Sequence, residues 1–194
     1  MTTGRLEAFS DGVMAIIITI MVLELRVPDG PTFHALAQSA TGLLTYLLSF
    51  VYVGIYWNNH HHFFQLVQRV GGAVLWANLA LLFCLSLLPF TTAWMDESAF
   101  ASPPVMVYGV NLLVCALAWY VMQFAVFRTE GPASRARRAV GSDVKGKISP
   151  FVYLVGVAAA AVLPVLAVAV YTVVAVMWLV PDRRFERAAA RPTD

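Results

Sequence analysis

Residues 148–180 read ISPFVYLVGVAAAAVLPVLAVAVYTVVAVMWLV, and this stretch contains no Asp, Glu, Lys or Arg. A helix needs about 20 apolar residues to cross a bilayer, so the stretch is too long for one ordinary crossing and short for two. Basic residues flank it on both sides: Lys145 and Lys147 before it, and Arg183, Arg184 and Arg187 after it. Because Lys and Arg favour the cytoplasmic side, both ends are expected inside. The stretch therefore predicts a hairpin of two short helices that turns near Leu163 and Pro164.

Four more apolar blocks precede this hairpin, at residues 6–27, 36–57, 73–94 and 105–127. Backbone polar groups in lipid must be satisfied within their own segment, which favours helices. The whole chain is 60% apolar and 12% charged, whereas about a quarter of a soluble domain is charged. These features predict an all-α integral membrane protein with six transmembrane helices.

The distribution of Lys and Arg sets the orientation of these helices. With both termini in the cytoplasm, twelve of the thirteen basic residues lie inside and only Arg26 lies outside. A chain with five or seven transmembrane helices would not show this bias of Lys and Arg towards the cytoplasmic side. We expect a single membrane domain over residues 1–194, with a mobile basic loop at about 128–147 and a cytoplasmic tail at about 181–194. The loop could touch anionic lipid headgroups, but we favour the simpler interpretation that it fixes the topology.

Several classes of function find little support in the residues. A net charge of +2 is too small to suggest nucleic acid as a partner. The adjacent residues His60, His61 and His62 do not share a helix face, so we expect neither a metal site nor a cofactor. The chain lacks G-x-S-x-G, H-E-x-x-H and phosphate-loop motifs, which argues against an enzyme.

A secondary transporter remains an alternative, because Pro89 and Pro164 could break helices within the membrane. Asn78 and Asn111 are the clear polar residues of the inner helices, and neither has an obvious partner in the sequence. A channel requires instead a continuous path for ions. The sequence alone leaves both interpretations open.

Helix 1 is the most unusual element, because acidic residues lie near both of its ends. On a helical wheel, Gly12, Ile16, Thr19, Ile20 and Leu23 fall on one face, within about 60° of Ile16. Asp11 falls on the opposite side and points towards neighbouring helices. An apolar stripe of this kind lines a pore in some proteins, but more often it faces lipid or another helix.

The stretch Arg5-Leu6-Glu7-Ala8-Phe9-Ser10-Asp11 fits the pattern R-x-x-x-F-S-D at the start of helix 1. Trp57-Asn58-Asn59-His60, followed by Phe64, fits the pattern W-x-x-H-x-x-x-F at the end of helix 2. Together with the six-helix layout, these motifs closely resemble the bacterial branch of the lysosomal potassium channel family, transmembrane protein 175. The resemblance covers nearly the whole chain.

The resemblance implies a homotetramer in the bacterial inner (plasma) membrane, with helix 1 of each subunit lining a central pore. Ile16 would form the apolar constriction, with Ile20 and Leu23 further out, and Thr19 would add a ring of hydroxyls. Such a neck can act as a hydrophobic gate that dewets. The permeant ion would be K⁺, discriminated only weakly from other monovalent cations.

The remaining motif residues are expected to form a scaffold and not to bind ions. Asp11 faces away from the predicted pore and needs a donor or charged partner. A network is predicted to brace helix 1 against helices 2 and 3, and its members are Arg5, Phe9, Ser10, Asp11, Trp57, Asn58 and His60. Without the resemblance, Arg5 and Trp57 are equally well explained as interfacial anchors.

Overall fold

The computed structural model describes residues 2–141 and 143–179. Every regular element within these residues is a helix. In chain order the helices are α1 (Thr3–Leu23), α2 (Phe33–Gln38), α3 (Ala40–Phe64), α4 (Gly72–Ser86), α5 (Leu88–Glu97), α6 (Ser102–Glu130), α7 (Arg135–Val140), α8 (Val144–Ala160) and α9 (Pro164–Leu179). The predicted cytoplasmic tail, residues 181–194, lies outside the described residues.

Four segments of the described chain are long and apolar enough to cross a membrane: α1, α3, α4 together with α5, and α6. The helices α8 and α9 have 17 and 16 residues and pack against each other and against α6. A turn at residues 161–163 separates them, and Pro164 begins α9. The turn of the hairpin therefore lies where the sequence predicted it.

The boundaries of the first two predicted helices are wrong by several residues. Helix α1 ends at Leu23 and not at residue 27. The N–H of Glu24 still bonds the carbonyl of Ile20, but the chain then leaves the helix ahead of Pro28. The helix that follows, α3, continues beyond residue 57 to Phe64, so the motif that begins at Trp57 lies inside it.

The predicted single helix at residues 73–94 is divided at Leu87 into α4 and α5. Pro89 is the cause, because proline has no N–H to donate to the carbonyl four residues earlier. It lies in the first turn of α5, where a helix does not use that donor.

The basic segment at about 128–147 is largely helical, which corrects the prediction of a loop. It contains the end of α6, all of α7 and the start of α8. The Ser134 hydroxyl caps α7 by accepting from the Arg137 N–H at 3.2 Å, and the Asp143 carboxylate caps α8 by accepting from the Gly146 N–H at 3.1 Å. A helix as short as α7 depends on packing, which its buried residues Ala136, Ala139 and Val140 supply.

Glu130, the last residue of α6, joins three parts of the chain. Its Oε1 accepts hydrogen bonds from the N–H groups of Gln68 (2.5 Å) and Arg69 (3.3 Å), in the loop between α3 and α4. Its Oε2 accepts from the Ser134 hydroxyl at 2.6 Å. One carboxylate thus fastens the α3–α4 loop and the start of α7 to the end of α6.

Buried tyrosines join α3, α6, α8 and α9. The Tyr52 hydroxyl donates to the Tyr171 carbonyl at 2.6 Å, and the Tyr171 hydroxyl donates to the Val105 carbonyl at 3.3 Å. The Tyr171 ring packs so closely on Gly109 and Gly156 that a Cβ at either position would collide with it. This cluster holds the α8–α9 hairpin to the rest of the bundle.

Candidate functional site

Helix α1 has one face inside the subunit and one face outside it. The inner face packs against α3, α4 and α5 and carries the buried residues Leu6, Ser10, Met14, Ile17 and Met21. These residues recur every three or four positions, as expected for one side of a helix. The opposite half of α1 is uncovered within the subunit.

The uncovered side of α1 carries a regular stripe. Its members alternate in steps of four and three residues, and they are Arg5, Phe9, Gly12, Ile16, Thr19 and Leu23, all exposed. This average spacing of 3.6 residues equals one turn of an α-helix, so the six residues lie along one face of α1. The predicted constriction residues are exposed in the single subunit by 60% (Ile16), 43% (Ile20) and 77% (Leu23). The structure therefore brings Ile16, Ile20 and Leu23 to one surface that the subunit itself does not fill.

Thr19 lies on the same surface, between the apolar residues. Its hydroxyl donates to the Ala15 carbonyl at 2.9 Å, a bond within α1 that threonine commonly makes. Because the proton is used in this bond, the oxygen presents only its lone pairs to the exterior. Such an oxygen can accept a hydrogen bond from water or contact a cation.

Asp11 is held by the neighbouring helix α3. The indole Nε1 of Trp57 donates to Asp11 Oδ1 at 3.0 Å. The Trp57 ring is stacked on His61, with 6.2 Å between ring centroids, and His61 Nδ1 lies 3.6 Å from Glu7 Oε1. Two carboxylates of α1 thus face two aromatic side chains of α3.

A second set of contacts is fully buried and joins three helices. Asn78 on α4 donates from Nδ2 to the Ser10 hydroxyl oxygen at 3.0 Å. Its Oδ1 lies 2.9 Å from His60 Nε2 on α3. Ser10 in turn donates to the Leu6 carbonyl at 2.9 Å. Asn78 is therefore the bridge between the two motifs of the sequence.

The directions of these bonds determine the proton on His60. Since the amide nitrogen of Asn78 donates to Ser10, its oxygen must be the acceptor, and His60 Nε2 must carry a hydrogen. Among the described residues, His60 Nδ1 is buried without a hydrogen-bond partner, and the ring packs on Phe64 at 4.4 Å between centroids.

Three predicted network residues are placed differently from Asp11, Ser10, Trp57 and His60. Arg5 and Phe9 are exposed on the stripe of α1, and Asn58 is partly buried on α3. Within the described residues, neither Arg5 nor Asn58 makes a hydrogen bond or an ion pair. Asn78 was not predicted as a member of this network, although a lone amide in an apolar helix is a signal, since such a group needs a hydrogen bond.

The histidine run does not form a metal site in the part of the chain that the structure describes. His60 points to Asn78 and His61 to Glu7, whereas the rings of His61 and His62 lie 5.5 Å apart between centroids. Among the described residues, no group of three His, Cys, Asp or Glu side chains could hold a metal ion.

Charged residues gather at the opposite end of the bundle. Arg26 Nη2 lies 2.6 Å from Glu97 Oε1, and both side chains are exposed. A neighbouring cavity of about 480 Å³ is lined in part by Glu24, Asp29 and Asp96. This end is mixed in charge, because Arg26 offsets the acidic residues around it.

The chain is similar to several known proteins. Residues 5–89 match the family described as endosomal/lysosomal potassium channel TMEM175. A protein named potassium channel from Chryseobacterium sp. (strain P1-3) is 50% identical over 97% of this chain and 98% of its own length. The crystal structure of a lysosomal potassium-selective channel TMEM175 homolog from Chamaesiphon minutus has a TM-score of 0.78 at 32% identity, covering 97% of this chain and 98% of the other. The protein named endosomal/lysosomal proton channel TMEM175 from Bos taurus is 32% identical over 64% of this chain and 29% of its own length.

Proposed function

This chain belongs to the endosomal/lysosomal potassium channel family TMEM175, and on that premise we propose that it is one subunit of a potassium-permeable channel whose pore is lined by α1. It is a multi-pass membrane protein of a family of ion channels and is not an enzyme. The observation that carries the proposal is the exposed stripe of α1, which lies along one face of the helix and begins at the family motif.

The proposed topology has six crossings: α1, α3, α4 with α5, α6, α8 and α9. Both termini are then cytoplasmic, and the basic residues collect on the inner side as the positive-inside rule demands. The motif residues and Glu130 lie at this inner end, whereas Arg26 and Glu97 lie at the outer end. The bacterial-type plasma membrane is the proposed location.

The proposed neck of the pore extends from Ile16 to Leu23. Leu23 follows Ile16 by seven positions, which corresponds to about 10 Å along a helix. Rings of Ile16, Ile20 and Leu23 would make this length apolar, and a narrow apolar neck can exclude water until it widens. The exposure of these side chains in the single subunit supports the proposal, since it leaves them available to line a path between subunits.

Thr19 supplies the polar element of the neck. A ring of its oxygens, with their protons turned towards Ala15, would offer acceptors to a partly dehydrated cation. K⁺ holds its water less tightly than Na⁺, so an apolar neck with few oxygens favours K⁺ modestly. No cofactor is expected, and K⁺ itself is the permeant species.

The oligomer is proposed to be a homotetramer, following the family. Arg5 supports close contact between subunits, because it is exposed on the stripe and has no partner among the described residues of its own subunit. Once neighbouring subunits remove it from water, a cation in that position needs a negative or hydrogen-bonding neighbour. We place this neighbour on the adjacent subunit.

The contacts from Asp11 to Trp57 and from Ser10 through Asn78 to His60 are proposed to brace α1. They hold the inner half of α1 against α3 and α4, while the stripe stays free to line the pore. Arg5, Phe9 and Asn58 are not part of this proposed brace.

The test is the reversal potential of the purified protein in a planar bilayer, with K⁺ on one side and Na⁺ on the other. A current that reverses towards the K⁺ equilibrium potential is expected. Absence of current from protein that is shown to be folded and inserted would contradict the channel. Saturating flux coupled to a second ion would point to a transporter instead, and a current that follows the proton gradient would identify H⁺ as the main permeant ion.

A further inference from the structure

We propose that the basic surface formed by Arg128, Arg137, Arg138 and Lys147 binds the headgroups of anionic phospholipids in the inner leaflet. These four residues lie at the end of α6, on α7 and at the start of α8, and all four are exposed. We call them the basic collar. The proposal concerns the lipid-facing side of the subunit and goes beyond ion conduction.

The charges of this segment are separated by sign. The segment 128–147 contains two acidic residues, and both use their carboxylates on backbone N–H groups: Glu130 on Gln68 and Asp143 on Gly146. None of the four collar residues forms an ion pair with a residue that the structure describes. The two acids are therefore occupied by bonds within the subunit, whereas the four collar cations are exposed.

Helix α7 is built to hold two of these cations at the surface. Its small residues Ala136 and Ala139 are buried, and Arg137 and Arg138 are exposed. Exposed arginines next to each other repel, and phosphate groups relieve that repulsion through charge-assisted hydrogen bonds. The fixed position of α7 lowers the entropy that these side chains lose on binding.

The depth of the collar favours a lipid over a soluble anion. On α6 an exposed apolar stripe of Leu117, Val121 and Phe124 ends at Arg128, whose guanidinium lies 5.7 Å from the centre of the Phe124 ring. Arg128 is four residues beyond Phe124, or about 6 Å along the helix. It therefore lies one helical turn past the last lipid-level aromatic residue, at the depth of headgroups.

The same arrangement recurs on α8. Val155 and Phe151 are exposed by 61% and 70%, and Lys147 continues their line one turn further towards the same end of the bundle. Helices α6 and α8 pack side by side, so the two stripes end next to α7.

The collar faces away from the proposed pore. Helix α1 packs against α3, α4 and α5, whereas α8 packs against α6 and α9. With α1 at the axis of the oligomer, α6 and α8 lie on the outside, in contact with lipid. This last step rests on the proposed function.

The experiment measures lipid preference directly and needs no ion current. The full chain is reconstituted in phosphatidylcholine vesicles, and the fraction of motionally restricted lipid is measured by electron paramagnetic resonance with spin-labelled phosphatidylglycerol and spin-labelled phosphatidylcholine. We expect the boundary lipid to prefer phosphatidylglycerol by about twofold or more at low salt, and less at 0.5 M salt. The variant Arg128→Gln/Arg137→Gln/Arg138→Gln/Lys147→Gln should lose at least half of that preference.

Charge-matched pairs provide the control. Arg128→Gln/Lys147→Gln removes two charges from the collar, and Arg26→Gln/Arg69→Gln removes two charges elsewhere. Only the first pair should lower the preference, with unchanged oligomer size and circular dichroism for both. Equal effects of the two pairs, or no preference in the wild type, would overturn the proposal. Displacement of the labelled lipid by millimolar inorganic phosphate at constant ionic strength would assign the collar to a soluble anion and would overturn it too. A channel that fails to conduct K⁺ while preferring phosphatidylglycerol would contradict the proposed function alone.

Discussion

The indole N–H of Trp57 donates a hydrogen bond to the carboxylate of Asp11 at 3.0 Å. This bond ties α3 to α1 through Asp11, which lies neither on the stripe nor in the buried core. Helix α1 has only half of its surface covered within the subunit. Specific polar contacts therefore matter for its position more than they would for a fully buried helix.

Trp57→Phe should weaken this contact, because phenylalanine keeps an aromatic ring at the position but has no N–H to donate. We expect the free energy of unfolding to fall by about 1 kcal/mol. This is less than usual for a hydrogen bond to a charged acceptor, because Asp11 is exposed to solvent. The midpoint of thermal unfolding of the purified protein measures it. Trp76→Phe is the matched control, since Trp76 is 75% exposed and is free of hydrogen bonds to described residues. Equal midpoints for the two variants would refute the role of the bond.

Asn78→Ala should be more destabilising, by about 1–3 kcal/mol, because it leaves Ser10 without its donor and His60 without its acceptor in a buried place. The control is Asn58→Ala, which removes the same amide from a partly buried site without such bonds and should be nearly neutral. Thermal unfolding again provides the measurement. If the Asn58 variant were the less stable of the two, the bridge through Asn78 would not be the brace.

Ile16→Asn should open the proposed neck. A polar ring holds water, so conductance should rise several-fold and the preference for K⁺ over Na⁺ should fall. Single-channel recording under mixed K⁺ and Na⁺ conditions tests both. Val22→Asn makes the same change of polarity at an exposed position of α1 that lies off the stripe, and it should leave both quantities unchanged. Unaltered conductance and selectivity in the Ile16 variant would exclude this residue as the constriction.

Thr19→Val should reduce the K⁺ current without changing the fold, because valine keeps the shape and removes the oxygen. If the ring of oxygens lowers the barrier by about 1 kcal/mol, the current falls about fivefold. Thr172→Val is a close control, because Thr172 is also exposed and its hydroxyl also bonds the carbonyl four residues earlier, at 2.8 Å. A current that is the same in the two variants would remove Thr19 from the conduction path.

Gly109→Ala should destabilise the attachment of the α8–α9 hairpin, because the added Cβ meets the Tyr171 hydroxyl. Overpacking of this kind costs about 1–3 kcal/mol. Gly54→Ala should instead stabilise by about 0.5–1 kcal/mol, because the new Cβ meets no described atom within 4 Å beyond the adjoining residues and backbone of its own helix, and a helical glycine is replaced. Thermal unfolding of the two variants should therefore shift in opposite directions, and a shared direction would contradict the packing described here.

Much of the fold follows from hydropathy, because lipid leaves the backbone few alternatives to a helix. The hairpin turn before Pro164 and the exposed surface of Ile16, Ile20 and Leu23 both follow from local rules of length and periodicity. The sequence motifs in α1 and α3 indicate the family to which the chain belongs, whereas hydropathy alone does not.

The features that were missed depend on contacts between distant residues. The bridge through Asn78 requires α4 to lie between Ser10 and His60, which no spacing in the sequence reveals. Helix α7 has too few residues to show a period, and it is stabilised by caps and by buried alanines. The break at Leu87 was visible as Pro89, but whether a proline bends or ends a helix depends on the packing around it.

The carboxylate of Glu130 fastens the loop after α3 to the start of α7, and this has a consequence for biosynthesis. The two N–H groups of that loop receive their acceptor only when the end of α6 has left the ribosome. From that moment the α3–α4 loop can be tied to the end of α6, before the hairpin of α8 and α9 is complete. Helices α3 and α4, which hold α1, can thus be fixed to α6 before the hairpin is added.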